Sequence, residues 1–141
     1  MALPNFSGVW ELSLDKSQLR QPVRRIAVRI EHEANTVHQV VMVVSASGQE
    51  QTNSFTFSTT GGATPISFGG NAGETSARWD GSTLIVESTL TVGERVLHFR
   101  DHWSLSPDGT VLTMAHPDDD LAGQVSVLER ADALAHGRPD V

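Results

Sequence analysis

RRIAVRIEHEANTVHQVVMVVS, residues 24–45, is the stretch that decides the fold. In residues 24–33, Ile26, Val28, Ile30 and His32 fall on one face, with Arg25, Arg29, Glu31 and Glu33 on the other. That is the period-2 pattern of a strand with one buried side. Ala34 and Asn35 make a tight turn, and Thr36–Ser45 follows as a second strand rich in Val, whose branched side chains suit a pleated sheet. On this strand His38, Val40, Met42 and Val44 share a face, which is assigned inward and brings His32 and His38 to the same end of the hairpin.

The same rhythm runs outward in both directions. Upstream, Gly8–Leu14 sets Trp10, Leu12 and Leu14 against Val9, Glu11 and Ser13. Downstream, Ser47 and Gly48 turn the chain into Gln49–Thr59, where Phe55 and Phe57 align. Residues 60–73 break the pattern with five Gly and one Pro around Ile66 and Phe68, which predicts a long mobile loop or an irregular edge strand. Thr75–Trp79 resumes, Asp80-Gly81 turns into Ser82–Thr91, Gly93 into Glu94–Leu105, and Asp108-Gly109 into Thr110–His116. Gln124–Ala131 is the last strand, and the tail from Asp132 to Val141 is expected to fray. Roughly eight to ten short strands joined by tight turns make an all-β, antiparallel up-and-down meander. Closure into a barrel removes the two edges that a flat meander would expose, so a barrel is expected over residues 1–131 as a single domain. A barrel of more than about eight strands is wider than side chains usually fill, which leaves room for a ligand.

Bulk properties narrow the functions. A length of 141 residues supports one full core. The net charge is −7, and ten Lys and Arg are spread thinly, which argues against a nucleic-acid surface. Arg20, Arg24, Arg25 and Arg29 cluster, and they read as solvated strand-edge charge that discourages sheet-to-sheet pairing. No apolar run approaches the roughly 20 residues of a membrane helix, and no secretory signal is read at the start, so no membrane partner is expected. The absence of cysteine excludes disulfides and thiolate chemistry and fits a reducing compartment, with the cytoplasm as the expected location. Oligomeric state stays open, a homodimer among the options.

The segment Asn5-Phe6-Ser7-Gly8-Val9-Trp10-Glu11-Leu12 resembles the opening of the calycins, the lipocalins and above all the fatty-acid-binding proteins. Trp79-Asp80-Gly81 with Leu84 and Val86, Asp108-Gly109 with Leu112, Thr113 and Met114, and Val127-Leu128-Glu129-Arg130-Ala131 are similar to the closing hairpins of that family. The resemblance implies a calycin-like barrel in which Trp10 closes one end and stacks with a basic residue of the last strand, here Arg130. It also implies that an inward Arg and an Arg-x-Tyr pair should grip a ligand carboxylate. Those positions correspond here to Trp103, Ser126 and Leu128, so a simple fatty acid is not the expected ligand. The family's paired capping helices have no counterpart in residues 15–23, which leaves the Gly-rich residues 60–73 as the long segment available for a cap.

Strand faces nominate the chemistry. In residues 95–105 the odd face (Leu97, Phe99, Asp101, Trp103) is assigned to the lumen, placing a carboxyl among aromatic rings where desolvation would raise its pKa. Asp101 is thus the candidate acid, base or polar anchor, with a satisfied structural carboxyl as the plain alternative. His32 and His38 could serve a metal, haem or a proton, although no spacing selects a third ligand and no cofactor motif is present. His98 and His102 lie on the outward face about 13 Å apart, and His116-Pro117-Asp118-Asp119-Asp120 reads as an acidic turn. Two functions follow. The first is a barrel that holds a small, mostly apolar molecule against Trp103, Phe99, Phe55, Phe57, Leu84, Val86, Met42 and Met114. The second is a small β-barrel enzyme, an isomerase, cyclase or lyase, that uses Asp101 with help from His32, His38 or Arg78. Haem binding is a third reading, without a specific proximal-His motif.

Overall fold

Residues 4–19, 22–68, 70–116 and 123–131 are described by a computed structural model of the chain. The alternating stretch becomes β2 (Val23–Glu33), and the Ala34-Asn35 turn returns it as β3 (Thr36–Ser45). Ala34 takes a positive φ of 51°, and the two-residue turn pairs Glu33 with Thr36 and His32 with Val37. β1 (Gly8–Leu12) precedes this hairpin. It is followed by β4 (Glu50–Ser58), β5 (Thr64–Phe68), β6 (Asn71–Asp80), β7 (Thr83–Val92), β8 (Arg95–Leu105), β9 (Val111–Ala115) and β10 (Val125–Arg130). The strands form one antiparallel sheet in the order β4-β3-β2-β1-β10-β9-β8-β7-β6-β5. β1 pairs with both β2 and β10, which joins the first strand to the last. β4 and β5 then face each other across a seam that has no ladder of its own. The result is the nearly closed up-and-down barrel that the turns predicted.

Two sequence readings change. Of the two forms expected for the Gly-rich segment, the edge strand is the one found: Thr64–Phe68 pairs with β6, which takes it out of a capping role, and β6 begins at Asn71, four residues before the expected start at Thr75. Gly73 sits inside β6 opposite Leu90, and a Cβ there would collide with the backbone carbonyl of Thr89, so this glycine serves close strand approach rather than a loop. The faces of β3 are also the reverse of the expected assignment. Both faces carry Val, so composition could not choose between them. The register does: His32–Val37, Ile30–Gln39, Val28–Val41 and Ile26–Val43 share the inner face, which turns His38, Val40, Met42 and Val44 outward.

One end of the barrel is densely filled. Phe6, Trp10, Ile30, Val37, Leu84, Trp103, Leu112 and Leu128 are at most 2% exposed, and each such side chain contributes about 1.5–3 kcal/mol on burial. The Phe6 ring stacks on Trp79 and His32 and meets the edge of Trp103, with centroids 5.5–5.9 Å apart. Arg130 lies 4.3 Å above the Trp10 ring, as the resemblance implied, and this cation–π contact is worth about 0.5–2 kcal/mol. The Arg130 guanidinium also donates to the carbonyls of Ser7 (2.8 Å) and Gly109 (3.0 and 3.1 Å). Its path explains Gly8, where any Cβ would run into the guanidinium and where φ is +145°. The Gly-x-Trp spacing is therefore the space that a closing arginine needs.

Candidate functional site

Beyond this packed end the lumen opens into a cavity of about 330 Å³. β1 and β2 contribute Leu12, Ile26 and Val28, β3 and β4 contribute Val41, Val43, Phe55 and Phe57, and β5 contributes Ile66. On the opposite wall stand Val86, Leu90, Phe99, Trp103, Met114 and Leu128. Polar groups are few on this surface: Gln39, Thr75, Ser88, Asp101, His116, Gln124 and Ser126. Thr75 and Ser88 are joined hydroxyl to hydroxyl at 2.8 Å, and Thr75 Oγ1 also donates to the Glu87 carbonyl at 3.2 Å.

The chemical centre of the cavity is a carboxylate and an imidazole. Alternation along β8 sends Asp101 inward between Phe99 and Trp103, as expected. β9 runs beside it with His102 opposite Ala115, which brings His116, one step further on, across from Asp101. His116 Nδ1 lies 3.3 Å from Asp101 Oδ1, and Trp103 Nε1 donates to Oδ2 at 3.4 Å. The imidazole is 8% exposed and the carboxylate 25%, so the histidine is held in the wall while the carboxylate meets the cavity. Such a pair can hold a ligand's polar group or move a proton. The sequence alone reads His116 as the start of an acidic turn. The signal for its inward position is the alternation Leu112, Met114, His116, which points all three the same way. Residues 117–120, the rest of that turn, lie outside the described residues, as do Arg20 and the tail 132–141.

Of the expected wall residues, Trp103, Phe99, Phe55, Phe57, Val86 and Met114 line the cavity. Leu84 is fully buried in the packed core and is not among the lining side chains. Met42 faces outward because of the β3 register. The expected helpers of Asp101 are placed elsewhere. Arg78 is 56% exposed on the outer face of β6 and pairs with Glu87 at 3.6 Å. His38 is also outside, bonded through Nδ1 to Thr56 Oγ1 at 2.7 Å. His32 does point inward, but into the packed end: its ring packs against both Phe6 and Trp79, and Nδ1 accepts the Phe6 N–H at 3.3 Å. Burial pushes its pKa below the ordinary histidine value, against a smaller opposing hydrogen bond to the Ala34 backbone. The two histidines thus lie on opposite faces and do not converge. Among the described residues no three His, Asp or Glu side chains are grouped to hold a metal ion.

Trp103, Ser126 and Leu128 all stand on the cavity wall, at the positions where a carboxylate-gripping set would be looked for, and none is basic. No protein-family model matches this sequence, and no curated protein matches it. Solved structures do match by shape. Secretory abundant heat soluble protein 4 from Ramazzottius varieornatus aligns with a TM-score of 0.59 and 12% identity over 92% of this chain and 98% of that one. The ileal bile acid-binding protein of zebrafish, complexed with cholic acid, aligns with a TM-score of 0.50 and 15% identity over 89% and 95%. These likenesses and the ten-strand order together show the fold, a nearly closed, antiparallel ten-stranded barrel of calycin-like form.

Proposed function

We propose that the protein binds a small, mostly apolar molecule inside the barrel. The observation that carries this reading is a cavity of about 330 Å³ whose wall is largely aliphatic and aromatic, with a few polar groups set into it. Small-molecule sites have that composition, because apolar area supplies affinity and a few hydrogen bonds fix orientation. A fold neighbour crystallised with cholic acid supports the same reading. The cytoplasm remains the proposed location, in keeping with a chain without cysteine. The test is native mass spectrometry of the purified protein together with titration of a panel of fluorescent lipophilic probes. Uptake should be lost in Ser126→Phe, which fills the lumen from the β10 wall, while the far-ultraviolet spectrum stays that of the wild type. Absence of both copurified ligand and probe uptake in the wild type would sink the proposal.

The Asp101–His116 pair favours a second reading, a small enzyme in which Asp101 transfers a proton to or from a confined substrate. His116 takes the assisting role in it, since His32, His38 and Arg78 are turned elsewhere. Asp101→Asn should then abolish turnover and spare binding, and unchanged turnover would eliminate this role.

A further inference from the structure

The charge of the cavity wall limits which polar end a ligand can carry, an inference that rests on the lumen-binding reading above. Among the described lining residues there is no Lys or Arg, and His116 is the sole side chain able to carry a positive charge. It stands 3.3 Å from Asp101. With the carboxylate ionised, the pair therefore sums to zero or to minus one in either protonation state of the imidazole. A ligand carboxylate entering the lumen would lose its hydration and find no net positive charge to replace it. A quarter of the Asp101 side chain is accessible, on the cavity side of the wall. The remaining polar lining consists of the hydroxyls of Thr75, Ser88 and Ser126 and the amides of Gln39 and Gln124, none of which carries charge.

We propose that the cavity refuses anionic head groups and takes an apolar molecule that ends in a hydrogen-bond donor, an alcohol or an amine, with Asp101 as its acceptor. The three matched probes are decanol, decylamine and decanoate. They share one alkyl chain, so apolar burial is common to all and the head group alone differs. Each competes with Nile red, a neutral dye, for the wild-type barrel at pH 7.5. Decanol or decylamine should displace the dye at concentrations at least about tenfold below decanoate. A lead for the amine identifies a cationic donor and a lead for the alcohol a neutral one, and either supports the proposal. Asp101→Asn removes the acceptor charge and should narrow the gap between decylamine and decanoate by about tenfold or more. Should that variant misfold, the wild-type ranking decides alone. Decanoate binding as tightly as decanol and decylamine would overturn the head-group inference and leave the lumen reading standing. Failure of the dye and all three probes to bind would overturn both.

Discussion

Replacing Phe6 with Ala separates the packed end of the barrel from its open cavity. The Phe6 ring is completely buried, lies within 6 Å of Trp79, His32 and Trp103, and belongs to the core rather than to the cavity wall. Truncating such a ring costs about 3–5 kcal/mol, from lost transfer energy plus the hole left behind. The backbone bonds at this residue survive the change, since its N–H meets His32 Nδ1 and its carbonyl accepts the Trp10 indole N–H at 3.0 Å. The loss therefore reports the ring alone. Against a total stability of about 5–15 kcal/mol, it removes a large share. With roughly 3–4 °C lost per kcal/mol in a domain of this size, the melting temperature should fall by about 10–20 °C. Phe55→Ala is the matched control: Phe55 is half-buried on the cavity wall, so its truncation should cost less, about 1–2 kcal/mol, while weakening probe uptake. Urea unfolding of both variants, beside a probe titration, makes the comparison. If Phe6→Ala costs no more than Phe55→Ala, the division into a packed end and an open end is wrong.

His32 should titrate below 6.5, because burial disfavours its charged form. A lowered folded pKa means that the unfolded chain binds the proton more readily. The stability His32 contributes is then complete above pH 6.5 and is lost as pH falls from there through the folded value. An NMR titration placing its midpoint at or above 6.5 would contradict this. Gly73→Ala should destabilise by about 1–3 kcal/mol, because the obstacle to a Cβ is the Thr89 backbone, which cannot swing aside as a side chain could. A denaturation midpoint equal to wild type would show that β6 and β7 can separate without cost. Arg130→Met should lose the cation–π contact and leave the Ser7 and Gly109 carbonyls without their guanidinium donor, lowering stability by about 2 kcal/mol or more. Trp10 fluorescence in this variant should shift if the indole becomes wetter, and an unchanged spectrum with unchanged stability refutes the closing role.

Much of the barrel could be read along the chain because strands and tight turns are local objects. Period-2 alternation assigned the inner faces of β2, β4 and β8 correctly, including Asp101 between Phe99 and Trp103, since one face of each was visibly more polar than the other. Trp10 and Arg130 were legible as a closing pair through a resemblance, and the structure added the role of Gly8, whose missing Cβ lets the guanidinium pass. β3 defeated the same method. Val37, Val41 and Val43 alternate with Val40, Met42 and Val44, so neither face announces itself, and the pairing with β2 had to choose. Gly73 misled for a related cause: whether a glycine marks a loop or a close approach depends on a carbonyl from another strand. The partner of Asp101 was hidden most deeply. Asp101 and His116 are fifteen positions apart in sequence, and their meeting depends on the register of β8 against β9. Local alternation was enough to say which side chains enter a lumen. Which of them meet there, and which end of the lumen is filled, depends on long-range pairing that no single strand encodes.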